Sequence, residues 1–164
     1  MKKSLLSILS LTLILSSCAL PSDPFTKVLE QDEQFRKTLP ASNADYGSFP
    51  KDFQAQIKSY MNTVLKDPDS AKYSNLTKPF KAYTIYKQNI NQAATHDNVY
   101  YGYSVCFSLN AKNSYGAYTG NSQYVAFFHN KKIVEIKEAD KSLTQITGIV
   151  SARIGSTYIH CPKN

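Results

Sequence analysis

The segment from Val99 to Leu109 constrains the fold more than any other, because two kinds of residue alternate along it. Tyr101, Tyr103, Val105, Phe107 and Leu109 fall on one side of an extended chain, and Tyr100, Gly102, Ser104, Cys106 and Ser108 on the other. A period of two places successive side chains on opposite faces of a sheet, so the segment predicts a strand with one large apolar face and one small face. Cys106 sits on the small face, where a covering segment can approach closely.

The flanking patterns supply the rest of the domain. Phe53, Ile57, Tyr60, Met61, Val64 and Leu65 recur at helical spacing, which predicts a helix over Lys51–Lys66. Pro50 suits its first turn, and Asp67-Pro68 ends it because the residue before proline is pushed out of the α region. Phe80–Lys87 reads as a strand. Gln123–Phe128 and Ile133–Lys137 read as strands joined by a hairpin turn at His129-Asn130-Lys131-Lys132. Leu143, Ile146, Ile149, Val150 and Ile154 predict a second helix from Asp140 to about Ile154, with Gly155 as its stop. Tyr158-Ile159-His160-Cys161 then runs extended and can lie beside Cys106. The expected fold is α+β: an antiparallel sheet of three to five strands packed by an N-terminal and a C-terminal helix, over residues 51–164.

The N-terminus carries a different signal. Lys2 and Lys3 precede an apolar run from Leu5 to Leu15, which is long enough for a secretory signal and too short to span a bilayer. Leu15-Ser16-Ser17-Cys18 follows and resembles a bacterial lipobox. That resemblance implies a signal peptide over 1–17, removal of that peptide, and acylation of Cys18, palmitate included. Ala19 after the cysteine implies the outer membrane of a Gram-negative cell, on its periplasmic face. An ordinary signal peptide cut nearby would instead leave Cys18 free. Residues 18–50, interrupted by Pro21, Pro24, Pro40 and Pro50, read as a lipidated terminus and flexible tether. Within them Val28, Leu29, Asp32, Phe35 and Arg36 suit a short helix over Thr26–Lys37.

Three cysteines are too few for a disulfide scaffold and one too many for simple pairing. Assigning Cys18 to lipid leaves Cys106 and Cys161, which an oxidising compartment would join as a disulfide. Closing that loop is worth roughly 4 kcal/mol at most by chain entropy. A reactive Cys161 with His160 beside it is the poorer alternative, since neighbours on an extended segment point opposite ways. The formal charge of +7 falls by two when Lys2 and Lys3 leave with the signal. Arg36 and Arg153 are the only arginines, and nucleic-acid sites favour the arginine fork, so no nucleic-acid partner is expected. The lysines read as a solvated surface, or as an attraction for anionic lipid heads or glycan carboxylates.

The segment Asn110–Ser122 joins two strands and concentrates Gly, Tyr and Asn. Gly116 and Gly120 permit positive φ, tyrosine gives contact area at low entropic cost, and asparagine both donates and accepts. Asn110, Lys112, Asn113, Tyr115, Gly116, Tyr118 and Gly120 form a candidate binding loop for a sugar, a peptide or a protein. The other reading is a hairpin loop folded onto its own sheet edge. Leu65-Lys66-Asp67-Pro68-Asp69-Ser70-Ala71, Val105-Cys106-Phe107 and Asn110–Gly120 together resemble a family of small exported proteobacterial lipoproteins. Its members pair a Leu-x-Asp-Pro-x-Ser-Ala helix end with a Cys-Gly-x-Val-Asn-Ala-Lys-Asn-Ser-Tyr-Gly-Gly-Tyr-like block. Phe107 and Ala117 stand where that pattern has glycine. The resemblance covers residues 51–130 and implies no agreed activity. Small lipoproteins of this general look include accessory parts of the Dot/Icm type IVB secretion core at the outer membrane.

Catalytic patterns are missing from the sequence. His96, His129 and His160 are scattered without metal-ligand spacing, so no metal or cofactor is expected. Asp67 and Asp69 flank a proline and suit capping better than paired acid–base work. The leading expectation is a non-enzymatic, outer-membrane-anchored lipoprotein. It would serve as a structural or accessory component of an envelope assembly such as a type IV secretion core, bound to membrane lipid through Cys18 and to protein partners. The alternative is a periplasmic binding or lysozyme-inhibitor-like module. A pocket joining Cys106 or a histidine to a carboxylate would favour a hydrolase.

Overall fold

The computed structural model describes residues 23–163. The expected signal peptide over 1–17 and the lipidation site Cys18 lie outside the described residues. Helix α1 spans Pro24–Lys37 and α2 spans Phe53–Val64. The strands β1 (Asp67–Ser74), β2 (Phe80–Ile85), β3 (Val99–Lys112), β4 (Ser122–His129) and β5 (Lys132–Glu138) follow. The short helix α3 (Lys141–Thr147) and the strands β6 (Ser151–Ile154) and β7 (Thr157–His160) end the chain. The fold is α+β, with one mostly antiparallel five-stranded sheet and a separate two-stranded one.

β3 is the backbone of the sheet. Its first half pairs with β2 and its last residues pair with β1, both along one edge, while β4 pairs along the other. Between β1 and β2 the chain bonds at Cys106 instead: Thr77 N–H donates to the Cys106 carbonyl at 2.9 Å, and Thr77 Oγ1 accepts from Cys106 N–H at 3.0 Å. β4 and β5 close a two-residue turn with Asn130 at φ 48° and Lys131 at φ 68°, the doubly positive geometry that matches strand twist.

The alternation along β3 sorts its two faces. Val105, Phe107 and Leu109 join Ala126, Phe128 and Ile136 beneath Ile57 and Met61 of α2. Each fully buried aliphatic side chain of this kind contributes roughly 1.5–3 kcal/mol. The small face carries Cys106, with Ala82, Val125 and Phe127, and is covered by Ala152, Ile154 and Ile159 of the β6–β7 hairpin. The Sγ atoms of Cys106 and Cys161 are joined there at 2.05 Å.

Two expectations are corrected. The helix expected to reach Ile154 stops at Thr147, because Gly148 takes the left-handed conformation at φ 67° and ends it. Ile146 is consequently solvent-exposed, and the residues from Ser151 onward form the β6–β7 hairpin instead. A second correction concerns the flexible tether over 18–50, whose described part is folded onto the domain. Asp23 caps α1 by accepting from Phe25 and Thr26 N–H, and Pro24 occupies its first turn. Asp32 is buried. It accepts from Lys87 Nζ at 2.5 Å and from Ala94 N–H at 2.7 Å. Arg36 donates to Ser156 Oγ and Thr157 Oγ1. Farther on, Ala41 N–H donates to Tyr101 Oη, and Phe49 meets Tyr103 edge to face. The folded unit therefore begins at α1 and not at residue 51.

β6 runs beside β5, and β7 beside β2. Asp140 N–H donates to the Ser151 carbonyl at one margin of the hairpin. Ser156 N–H donates to the Ile85 carbonyl at the other, 2.9 Å away. The hairpin thus bridges the two edges of a curled sheet.

Candidate functional site

β3 continues three residues beyond the expected strand end at Leu109, so the loop leaves the sheet at Lys112. Asn113 then builds the turn. Its Oδ1 accepts from Tyr115 N–H at 2.9 Å and from Ala117 N–H at 3.2 Å, and its own N–H donates to the Ala117 carbonyl. This is an Asx-type turn, closed at its base by an antiparallel bridge between Lys112 and Tyr118. Ala117, at a position where the resembled pattern has glycine, has both main-chain groups engaged with Asn113. Gly116 at φ 77° supplies the left-handed step that lets the loop reverse.

The two tyrosines of the loop do different things. Tyr118 lies back on β1. Its hydroxyl donates to the Ser70 carbonyl at 3.3 Å, and the ammonium groups of Lys72 and Lys112 stand 4.3 and 5.7 Å from its ring centroid. Ser70 Oγ also accepts from Lys112 N–H. Tyr115 projects into solvent with 94% of its surface exposed. The loop is therefore closed on one side and open on the other: Tyr118 is an internal clamp, and Tyr115 is displayed. A cavity of about 240 Å³ lies against the base, lined among others by Val64, Leu65, Lys112, Asn113 and Tyr124.

Of the proposed loop residues, the structure brings Lys112, Asn113, Gly116 and Tyr118 together, with Tyr115 at the tip. Asn110 stands apart within β3, its Oδ1 buried and without a partner among the described residues. Gly120, at φ 91°, has open space around it. Ser70 and Lys72, which hold Tyr118, were not among the expected site residues. The Asp67-Pro68-Asp69-Ser70 run reads as a helix stop, and nothing local in it marks a strand that backs the loop.

The histidines are held separately. His96 meets Phe35 edge to face at 5.1 Å. His129 donates through Nδ1 to the Tyr101 carbonyl and accepts from Asn130 Nδ2. His160 Nδ1 lies 2.7 Å from Ser151 Oγ, across the β6–β7 pair from it, but that serine is fully buried, which leaves no room for a substrate at its hydroxyl. No group of three or more His, Cys, Asp or Glu residues with metal-binding geometry occurs among the described residues. Among them, no helix is long and apolar enough to cross a membrane.

Electrostatics concentrates where α1 and the hairpin meet the sheet. Burial pushes the Asp32 carboxyl up, but the Lys87 ammonium, the Ala94 N–H and the nearby Arg36 outweigh it and hold its pKa below the usual carboxylate value. Burial is also the largest influence on Tyr86. With the Glu135 carboxylate accepting from its hydroxyl at 2.7 Å, it keeps the phenol protonated far above neutrality.

No protein-family model matches the chain, and no curated protein or solved structure matches it significantly.

Proposed function

We propose that the protein is an outer-membrane-anchored lipoprotein that serves as a non-enzymatic component of an envelope assembly, with a type IV secretion core complex as the leading setting. The observation that carries this reading is the loop from Asn113 to Asn121. An Asx turn and a lysine-flanked Tyr118 hold its base, while Tyr115 is fully displayed. A displayed tyrosine on a backbone fixed by a turn is the kind of anchor that protein interfaces use, because it offers large area with few rotatable bonds. The lipobox at Cys18 supports the membrane address.

Affinity purification through a C-terminal tag in mild detergent tests the proposal. The expected result is recovery of fixed partners with the native protein and their loss with Tyr115→Ala. Recovery of the monomer alone would count against an assembly role, and retention of all partners by Tyr115→Ala would remove the loop from it.

A further inference from the structure

The contacts that seat α1 come from its second half. Residues three and four apart share one side of a helix, so Phe25, Leu29, Asp32 and Arg36 form a single row along it. The row ends in contact: Asp32 is buried against Lys87 and Ala94, and Arg36 donates to Ser156 and Thr157. It begins in the open, with Phe25 48% and Leu29 50% exposed. Ile90, 68% exposed, belongs to the same corner, because its carbonyl lies 3.5 Å from the Lys87 ammonium that also reaches Asp32. Single exposed apolar side chains are ordinary, but three at one corner call for an occupant. This corner is also the one nearest the proposed lipid. Five chain steps of at most about 3.6 Å each separate Cys18 from Asp23. Leu29 follows Pro24 by five residues, a rise of about 7.5 Å.

We propose that Phe25 and Leu29, with Ile90 beside them, insert into the interface of the bilayer that carries the Cys18 lipid. Two facts identify that occupant. The short reach from Cys18 keeps both helical side chains within about 25 Å of the point of acylation, so the membrane is the surface they meet first. The first two turns carry Lys27 against Asp23 and Glu30, so they offer anionic headgroups no net positive charge, and apolar contact is the attraction available. The acyl chains hold the protein to the membrane, and this contact sets which way it stands. Phe35 of α1 meets His96, just before β3 begins, and the Asn113–Asn121 loop leaves the other end of that strand. Insertion of α1 therefore leaves Tyr115 clear of the lipid. The inference deepens the lipoprotein reading and rests on it for the position of the lipid, though not for the exposure of the face.

The chain contains no tryptophan, so a single indole placed on the face reports its surroundings. Phe25→Trp and Leu29→Trp are made in the full chain, exported with its own signal, purified from membranes, and reconstituted into phosphatidylcholine vesicles with and without brominated acyl chains. The expected result is a blue-shifted emission that the brominated chains quench, in low and high salt alike. Ile146→Trp is the reference. Ile146 is more exposed, at 83%, but α3 stands beside Ser108 and Gln123, in the half of β3 remote from α1, so its emission should be indifferent to bromine. Circular dichroism shows that each variant is folded. Emission from both face variants as indifferent as that of Ile146→Trp overturns the proposal, and so does quenching that disappears in salt. A blue shift that grows with protein concentration in lipid-free Phe25→Trp carrying Cys18→Ser would assign the face to a second copy and overturn it too. Flotation of the native protein with the vesicles keeps the two readings apart. Failure to float sinks the lipid anchor itself, and flotation with an unquenched indole sinks this inference alone.

Discussion

The carbonyl oxygen of Phe128 lies 1.9 Å from the point where a Cβ on Gly102 would stand. The β4 main chain thus lies against β3 at Gly102, the one position of that strand without a side chain, next to the register slip by which β5 carries one extra residue opposite Phe127 and Phe128. Gly102→Ala therefore cannot be absorbed by a rotamer change. It should destabilise the fold by about 3 kcal/mol or more, the cost of overpacking against backbone. Urea titration measures the loss. A change below about 0.5 kcal/mol, the range of an ordinary surface substitution, would show that the strands can part without penalty.

The Asp32–Lys87 pair should make the docking of α1 depend on pH. The Asp32 carboxyl is held below its ordinary value in the folded state, so its stabilisation is present above the unfolded pKa of about 3.9 and is lost as pH falls through the folded value. Amide exchange at Ala94 and along α1 should accelerate in that acid range before the sheet unfolds. Asp32→Ala leaves Lys87 without its carboxylate and should cost roughly 3–5 kcal/mol near neutral pH. Equal exchange rates for α1 in the native protein and the variant would refute a docking role for the pair.

The loop tyrosines should separate cleanly by measurement. Tyr118→Ala removes the hydroxyl bond to Ser70 and the two lysine contacts, and should lower stability by about 1–2 kcal/mol. Tyr115→Ala touches nothing that holds the fold and should change stability by less than about 0.5 kcal/mol. Thermal unfolding of both variants distinguishes them, and a reversed order would mean that Tyr115 is the clamp.

The disulfide ties β3 to the chain end across a separation of 55 residues. Replacing Cys106 and Cys161 together by alanine should cost about 4 kcal/mol at most by loop entropy. The effect should appear first in the β6–β7 hairpin, which covers the small face around Cys106. Exchange at Ala152 and Ile159 reports it. A loss spread evenly over α2 would contradict a local role for the crosslink.

Much of this architecture is legible in the residues. The alternation of Val99–Leu109 predicts both faces of β3, and the spacing of Ile57 and Met61 predicts the helix that covers one of them. Three features are not legible, each for a local reason. β1 contains Asp67-Pro68-Asp69-Ser70, which carries turn chemistry, and becomes a strand only because β3 offers an edge to Lys72, Tyr73 and Ser74. Ile149, Val150 and Ile154 fall at helical spacing by coincidence, and Gly148 decides against the helix through one positive φ. The seating of α1 depends on Lys87 and Ala94, more than fifty residues from Asp32, so proline content alone misreads that segment as a tether. The candidate loop is visible by composition, but the division of labour between Tyr115 and Tyr118 is set by Ser70 and Lys72 on another strand.

The folded state of α1 changes the geometry of anchoring. Only four residues separate Cys18 from Asp23, and even fully extended that stretch reaches about 18 Å. A lipid at Cys18, as proposed, would hold the domain against the headgroups rather than on a long leash across the periplasm. The search for partners would then be two-dimensional: the protein would sweep the plane of the membrane, and whatever Tyr115 engages would have to come down to the bilayer to meet it.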